Sequence, residues 1–350
     1  MSVHMGSEPR DRMSTSEPLV SVVLPTYDRP ERLRRAVESV RGQTYGNVEL
    51  IVVDDCSPTP AERELSDIEF GGLEVRYIRH AENRGANTAR NKGIEAAHGE
   101  FVAFLDDDDK WTPTKIERQV RTFAEADPGV GVVYTGMRVV YRNRTQVTAS
   151  TVSGDVTEDI LVGRSLAPFS TIMVRTSAIE AAGLPDERFP SWQDREWYLR
   201  LSQCCRFEAL PEPLVVRNMA HEDRIAKDFE AKRDVSYPLL LSKHRPLAAE
   251  YGRLIERRFV ATYSESLGTA AVRNGYHADA TKYLLEAIVH YPFSATSYTH
   301  LLASLGGEYT YRPARKVQRA LGVLSSVPGM RVVLVLTAVA AIVWSATRYR

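Results

Sequence analysis

An apolar run, Phe101-Val-Ala-Phe-Leu105, passes directly into four acids, Asp106 to Asp109. Such a run is the pattern of a strand buried on both faces, as in a parallel sheet. It would deliver the acids to the C-terminal edge of that sheet, where open α/β sheets bind ligands. Four adjacent carboxylates repel one another and lose hydration unless a cation neutralises them. Hard oxygen donors of this kind suit Mg²⁺ or Mn²⁺, which bridge to phosphate oxygens. A solvated, idle acidic loop is the alternative for such a run. Its place directly after a buried strand argues against that.

The same pattern occurs upstream. Leu19 to Leu24 is an apolar run closed by Pro25, and Leu50 to Val53 is another that ends at Asp54-Asp55. Between them Leu33, Ala36, Val37 and Val40 recur at helical spacing over Arg32 to Val40, with Pro30 near the start. Val75 to Ile78 reads as a third strand, and Asn87 to Ala97 as a helix stopped at Gly99. Strands alternating with helices imply an α/β fold, a doubly wound and mostly parallel sheet with right-handed crossovers. Downstream, the pattern predicts a helix over Thr114 to Phe123 and strands over Val130 to Tyr134 and Met137 to Tyr141. It then predicts a helix around Glu158 to Leu161, a strand over Thr171 to Val174, a mostly helical Ser191 to Cys205 and a strand over Pro213 to Val216. From about Leu247 the pattern becomes wholly helical and amphipathic: Arg253 to Ala270, Tyr276 to His290 and Ser294 to Ser304. Gly275, Ala280, Tyr283, Ala287 and Pro292 resemble a single tetratricopeptide-type helix pair, which does not establish a repeat array.

A chain of 350 residues has room for one large α/β domain and an appendage. Lys+Arg and Asp+Glu are both 45, so global charge gives no reason to expect a nucleic-acid partner. Cys56, Cys204 and Cys205 form no metal spacing or disulfide framework, and a reducing cytosolic setting is the default. The first eighteen residues are polar and read as a disordered tail without a signal peptide. Val332 to Thr347 is uncharged and mostly apolar, carries Trp344, and is flanked by Arg331, Arg348 and Arg350. As a helix it would be roughly 24 Å long, against a hydrocarbon core of roughly 30 Å, which suits interfacial anchoring better than spanning. Ala320 to Val327 is also mostly apolar, so a shallow hairpin is an alternative, as is a core helix packed on the appendage. Arg312, Arg315, Lys316 and Arg319 precede it and favour an anionic lipid surface. The expectation is membrane association through 320–350, with the rest of the chain on the cytoplasmic face.

Four segments stand in order: SVVLPTYDRPERLRRAVESVRGQTY, ELIVVDDCSPTP, ENRGANTARNKGIEAAHGEFVAFLDDDD and WQDREWYLRL. Together they resemble the nucleotide-sugar glycosyltransferases of the A-type fold, the inverting family 2, over roughly residues 19 to 220. With the patterns above, the resemblance divides the chain into a tail over 1–18, a catalytic domain over 19–245, a helical appendage over 246–319 and the membrane-associating segment over 320–350. It implies that Pro25, Thr26 and Tyr27 pack the nucleotide base and that Asp55 hydrogen-bonds it, while Asp54 caps structure. Arg90 and Asn91 would approach the donor phosphates or sugar, with a structural ion pair the alternative for Arg90. Asp106 and Asp108 match the outer members of the Asp-x-Asp metal motif for Mn²⁺ or Mg²⁺. Asp107 would face the sugar or ribose, and Asp109 is the least assigned of the four. Asp194 matches the catalytic base, with Glu196 the runner-up. Asp194 also stands where a helix beginning near Arg195 would take its N-cap. His221 lies where some relatives place a phosphate or metal contact, although a lone histidine is more often structural.

The implied reaction is metal-dependent transfer of a sugar from a nucleoside-diphosphate sugar to an acceptor hydroxyl. UDP is the first guess, because Asp55 favours a pyrimidine. The metal would stabilise the departing diphosphate, and the base would take the acceptor's proton as attack proceeds, inverting the anomeric carbon. The Gln-x-x-Arg-Trp motif of processive synthases is absent, so single addition is expected, to a glycan or lipid-linked saccharide. No Gly-x-x-x-x-Gly-Lys-[Ser/Thr] loop, EF-hand spacing or Gly-x-Gly-x-x-Gly fingerprint is present. Two rivals stay open: a sugar nucleotidyltransferase, which shares the sheet and the acids, and a degenerate binding scaffold.

Overall fold

The computed structural model describes residues 17–149, 151–164, 166–219 and 229–306. The start of the polar tail, His221, the basic run from Arg312 to Arg319 and the segment 320–350 lie outside the described residues.

The N-terminal half is built as the alternation predicts. Strands β1 (Val20–Thr26), β2 (Val48–Asp54), β3 (Glu74–Arg79) and β4 (Phe101–Phe104) all pair in parallel. Every residue of β1, β2 and β4 is buried, which explains their unbroken apolar character. Helices α1 (Pro30–Arg41), the short α2 (Glu62–Leu65) and α3 (Ala86–Ala96) provide the crossovers. Gly93 lets α3 lie close on the sheet, since a Cβ there would stand 2.3 Å from Val23 Cγ1.

Next come β5 (Asp109–Trp111), α4 (Lys115–Glu125), β6 (Val130–Tyr141), β7 (Arg144–Thr148) and α5 (Thr157–Leu161). A 3₁₀ turn over Phe169–Thr171 leads into β8 (Ile172–Arg175), followed by α6 (Thr176–Ala182), α7 (Gln193–Ser202) and β9 (Arg206–Asn218). The nine strands form one sheet in the order β3-β2-β1-β4-β8-β6-β9-β5, with β7 beside β6. β8 runs antiparallel to β4, so this half of the sheet is mixed while the first half is wholly parallel. Strand order reverses at β1, with β2 and β3 on one side and β4 on the other. A doubly wound sheet opens its binding crevice at such a switch.

Two local readings of the sequence are corrected. Val130 to Tyr134 and Met137 to Tyr141 are one strand; its register against β9 shifts around Gly136, where a Cβ would stand 2.6 Å from Pro211 O. Glycine there reads as a break but serves a bulge. Asp109, the least assigned of the four acids, opens β5. Asp194 is not an N-cap: α7 starts at Gln193, and its N-cap is Trp192 in the left-handed region, φ 58°.

The C-terminal helices are α8 (Phe229–Ala231), then a π turn over Lys232–Ser236 into α9 (Tyr237–Glu250), α10 (Arg253–Arg273), α11 (His277–His290) and α12 (Ala295–Gly306). They share a core with the sheet. One continuous buried cluster includes Phe104 and Val174 from the sheet, Trp197 from α7, and Phe259, Tyr263 and Leu267 from α10. The opposite face of the sheet is covered by α1 and α4 through Leu33, Val37, Ile116 and Phe123. No helix among the described residues is long and apolar enough to cross a membrane.

Candidate functional site

A cleft of about 1300 Å³ opens at the switch between β1 and β4. Pro25, Thr26 and Tyr27 line one wall from the end of β1, and Tyr27 is 45% exposed there, free to stack on a planar ligand. The first turn of α3, from Gly85 to Asn87, lines another, presenting helix N–H groups and a positive dipole end suited to phosphate.

The two acids that end β2 do different work. Asp54 is fully buried and accepts bonds from Ser57 N, Ala61 N, the Tyr77 hydroxyl and Arg79 at 2.6–3.0 Å. Burial opposes its ionisation, but the bonds from Ala61, Ser57 and Tyr77 outweigh that and hold its carboxyl below the usual range. Asp54 is therefore structural, as its neighbours require. Asp55 reaches the cleft, yet its oxygens already accept His80 Nδ1 at 2.8 Å, Arg84 N at 2.9 Å and Gly85 N at 2.7 Å. Its carboxylate thus fastens the loop that starts α3. With roughly four acceptor sites, it retains capacity for one ligand donor.

The acid turn is surrounded by arginines. Arg90 NH2 meets Asp106 Oδ1 at 2.7 Å, and its guanidinium lies 4.1 Å from the centre of the Phe169 ring. Arg29 NH1 meets Asp107 Oδ1 at 2.9 Å, while Thr26 Oγ1 donates to Asp107 Oδ2. Arg217 faces Asp109 at 3.6 Å, the two residues standing opposite one another on β9 and β5. At Asp106 burial opposes ionisation, but Arg90 and Arg217 outweigh it and the carboxyl sits below the usual range. Burial wins at the other two: Asp107 is pushed up to about 6 and Asp109 to about 7. The turn is braced from beneath, where Ser170 Oγ receives Asp106 N and Ser170 O receives the Trp111 indole N–H.

Asp106, Asp108 and Asp109 each bring a carboxylate oxygen within 4.8 Å of the others, a set that could hold a metal ion. Both Asp109 oxygens are buried and make no hydrogen bond of ordinary geometry. Unsatisfied buried carboxylate oxygens beside two more acids fit a hard divalent cation. The structure thus adds Asp109 to the pair that the sequence singles out. Asp107 is drawn off by Arg29 and Thr26 and does not join the trio.

Asn91 does not line the cleft. Its amide donates to Pro185 O and Glu187 Oε1, tying α3 to the turn before α7. Asp194, the second residue of α7, is half-buried, and its Oδ1 accepts Arg195 N. Its neighbour Gln193 lines the cleft and accepts a bond from Arg90. Asp194 sits close enough to Arg217 to be felt electrostatically by it. Glu196, by contrast, is fully buried and engaged by Arg200 at 2.8 Å and Lys243 at 2.6 Å, so it has no access to a substrate.

Arg29, Arg217 and Gln193 are among the cleft residues that the sequence reading missed. Arg217 ends an apolar β-branched run, as the acids do, and the same rule applied to cations would have found it. Among the described residues, three non-glycine residues adopt positive φ, Asp28 (51°), Cys56 (66°) and Trp192 (58°); Asp28 lines the cleft, and Cys56 and Trp192 adjoin the lining residues Asp55 and Gln193. Backbone strain concentrated in this way is typical of functional sites.

Residues 21–174 match the family model described as Glycosyl transferase family 2. The chain is 27% identical over 233 residues to an uncharacterised glycosyltransferase of Rickettsia bellii (strain RML369-C), covering 64% of this chain and 33% of that protein. It is 40% identical over 113 residues to TuaG of Bacillus subtilis (strain 168), a glycosyltransferase assigned by name to teichuronic acid biosynthesis, covering 32% of this chain and 45% of TuaG. The matched stretch therefore spans less than half the length of these curated relatives. Among solved structures, S. aureus TarS 1-349 in complex with UDP-GlcNAc shares the fold with a TM-score of 0.58 at 19% identity, covering 86% of this chain and 92% of that one.

The ion pairs around α7 make acid stability testable. Burial opposes ionisation of Glu196, but bonds from His244, Arg200 and Lys243 lower its carboxyl from 4.5 to about 2. A depressed carboxyl contributes stability above its unfolded value and loses it as pH falls through the folded one. Thermal unfolding midpoints should hold from neutral pH to about 4.5 and then fall toward pH 2. Glu196→Gln, less stable at neutral pH, should show a shallower fall over that window; an unchanged slope would remove Glu196 as a cause.

Proposed function

We propose, from the premise that this chain belongs to glycosyl transferase family 2, that it transfers a sugar from a nucleoside-diphosphate sugar to an acceptor hydroxyl. The observation that carries this reading is the convergence of Asp106, Asp108, Arg90, Arg217 and a helix N-terminus on one cleft at the sheet's switch point, with Asp109 adjoining the two acids. Tyr27 and Pro25 stack against the base, and the first turn of α3 meets the diphosphate. Asp106, Asp108 and Asp109 would hold Mn²⁺ or Mg²⁺, which supplies charge neutralisation to the departing diphosphate. Arg217 and Arg90 add fixed positive charge beside the same atoms, in a site partly closed to water, where such charge counts most.

Asp194 is the base. It takes the acceptor's proton at a carboxylate oxygen as the hydroxyl attacks. Attack from the face opposite the leaving group inverts the anomeric carbon in a single displacement. Glu196 is excluded from this role by its burial among Arg200 and Lys243. The product is one added sugar, on a glycan or lipid-linked acceptor. UDP-GlcNAc is the first donor to try, because the same fold accommodates it in TarS.

A thermal-shift panel of sugar nucleotides with Mn²⁺ identifies the donor, since a bound ligand raises the unfolding midpoint by mass action. Asp108→Asn keeps the shape but removes a charged ligand. Transfer should fall by roughly two orders of magnitude or more, a few kcal/mol of transition-state stabilisation, and EDTA should mimic it. Full activity in excess EDTA rules the metal out.

Asp194→Asn should abolish turnover while donor-induced thermal shifts persist, because the base touches only the acceptor. Retained transfer would remove Asp194 as the base, and a product with the donor's anomeric configuration would exclude single displacement.

Membrane association of the segment 320–350, with the catalytic part on the cytoplasmic face, is motivated by the apolar stretch Val332 to Thr347 and its flanking arginines. The full chain should sediment with membranes and a chain truncated at Leu321 should not. A full chain that stays in the supernatant without detergent contradicts it.

A further inference from the structure

We infer that Lys243, on α9, is a positioning residue for the reaction, a strut that holds the base helix α7 against the donor side of the cleft. The inference rests on the reading of Asp194 as the base. The Lys243 ammonium stands 2.6 Å from Glu196 Oε1 and 2.7 Å from Asp186 Oδ2, and so bridges two carboxylates. Glu196 lies two residues beyond Asp194 on the first turns of α7. Asp186 belongs to the turn that α3 grips, Asn87 donating to Asp186 O at 2.8 Å and Asn91 to Pro185 O at 2.9 Å. α3 in turn carries Arg90, which reaches both Asp106 and Gln193. One amine from the C-terminal helices thus closes a ring of contacts around the acid turn and the base.

A second set of contacts acts at the same helix start. Trp192, the left-handed N-cap of α7, packs edge-to-face on Tyr263 of α10 with ring centres 5.2 Å apart. The Lys232 ammonium lies 5.3 Å from the Trp192 ring, and Ser191 N donates to Ser236 Oγ. A bulky residue holds a left-handed conformation only where its surroundings impose it. Here those surroundings come from the helices after residue 229.

The role is orientation rather than charge compensation. Without Lys243, Glu196 keeps Arg200 at 2.8 Å and Asp186 keeps Arg188 at 2.7 Å. Neither carboxylate is stranded, so Lys243→Met should fold. What it loses is the bridge from Asp186 to Glu196, while Arg200 and Trp197 still bond the carbonyls of residues 182–184. A displacement of the base by a fraction of an ångström to an ångström lowers kcat without touching the donor's own contacts.

The test uses the full chain and the sugar nucleotide that gives the largest thermal shift, with Mn²⁺ present and water as the acceptor. Release of the nucleoside diphosphate is followed for Lys243→Met, Lys243→Arg and Asp194→Asn. Lys243→Met should lower kcat between about tenfold and a hundredfold, with the donor KM within about twofold of the parent chain. Lys243→Arg, which can still bridge both carboxylates, should recover most of the loss. Parent-like kcat in Lys243→Met overturns the inference, as does an equal loss of kcat and donor affinity that Lys243→Arg does not restore. An inactive Asp194→Asn beside a fully active Lys243→Met sinks the strut alone. An active Asp194→Asn sinks the base reading instead.

Discussion

The structure depends on one electrostatic compromise: acids carried on a buried strand, stabilised by arginines drawn from distant parts of the chain. Removing a carboxylate from water costs on the order of several kcal/mol even after relaxation. β4, buried along its whole length, nevertheless leads into Asp106 to Asp109 at the edge of the parallel half of the sheet. Arg29 from the β1–α1 loop, Arg90 from α3 and Arg217 from β9 each come within 3.6 Å of one of them. Each arginine fixes its own element relative to the acid turn, so the charge balance of the site also serves as the registration of the fold. Where the balance is incomplete, at Asp109, the carboxyl is pushed up to about 7 and its oxygens make no hydrogen bond of ordinary geometry. That residual imbalance is what a cation would relieve.

Much of this was legible in the residues. The parallel strands β1, β2 and β4 are unbroken apolar runs because both faces are covered, and such runs announce themselves. The acids were legible for the complementary reason: nothing but function keeps four carboxylates at the end of such a strand. Edge elements were not. β5 is three residues long and begins with an acid, and β7 is polar and exposed, so neither carries an apolar signal. Their existence follows from pairing with β9 and β6, which is information held far away in the chain.

Side-chain roles divided along the same line. Tyr27 and Asp55 directly follow strands and Arg90 lies near the start of α3, and local sequence places them at the cleft. Asn91 is one residue from Arg90, and the helical step of about 100° per residue turns it onto the 185–187 turn instead. Glu196 and Asp194, two residues apart, are separated by a rotation of about 200°: one enters the core and the other stays half-buried. Choosing between such neighbours requires knowing what packs against the helix. For α7 the answer comes from α9 and α10, more than forty residues later, which share its core.

The three left-handed residues Asp28, Cys56 and Trp192 set stability and chemistry in opposition. A side chain held in that region carries strain of roughly 1–2 kcal/mol that glycine would not. Glycine would relieve it and also release the backbone freedom that the strain suppresses. At Trp192 it would further delete a ring packed on Tyr263, so little would be gained there. At Asp28 and Cys56, which are turns of the cleft wall rather than core, the exchange would favour a sturdier molecule with a slacker site. Selection for heat resistance and selection for turnover would therefore pull these positions in opposite directions.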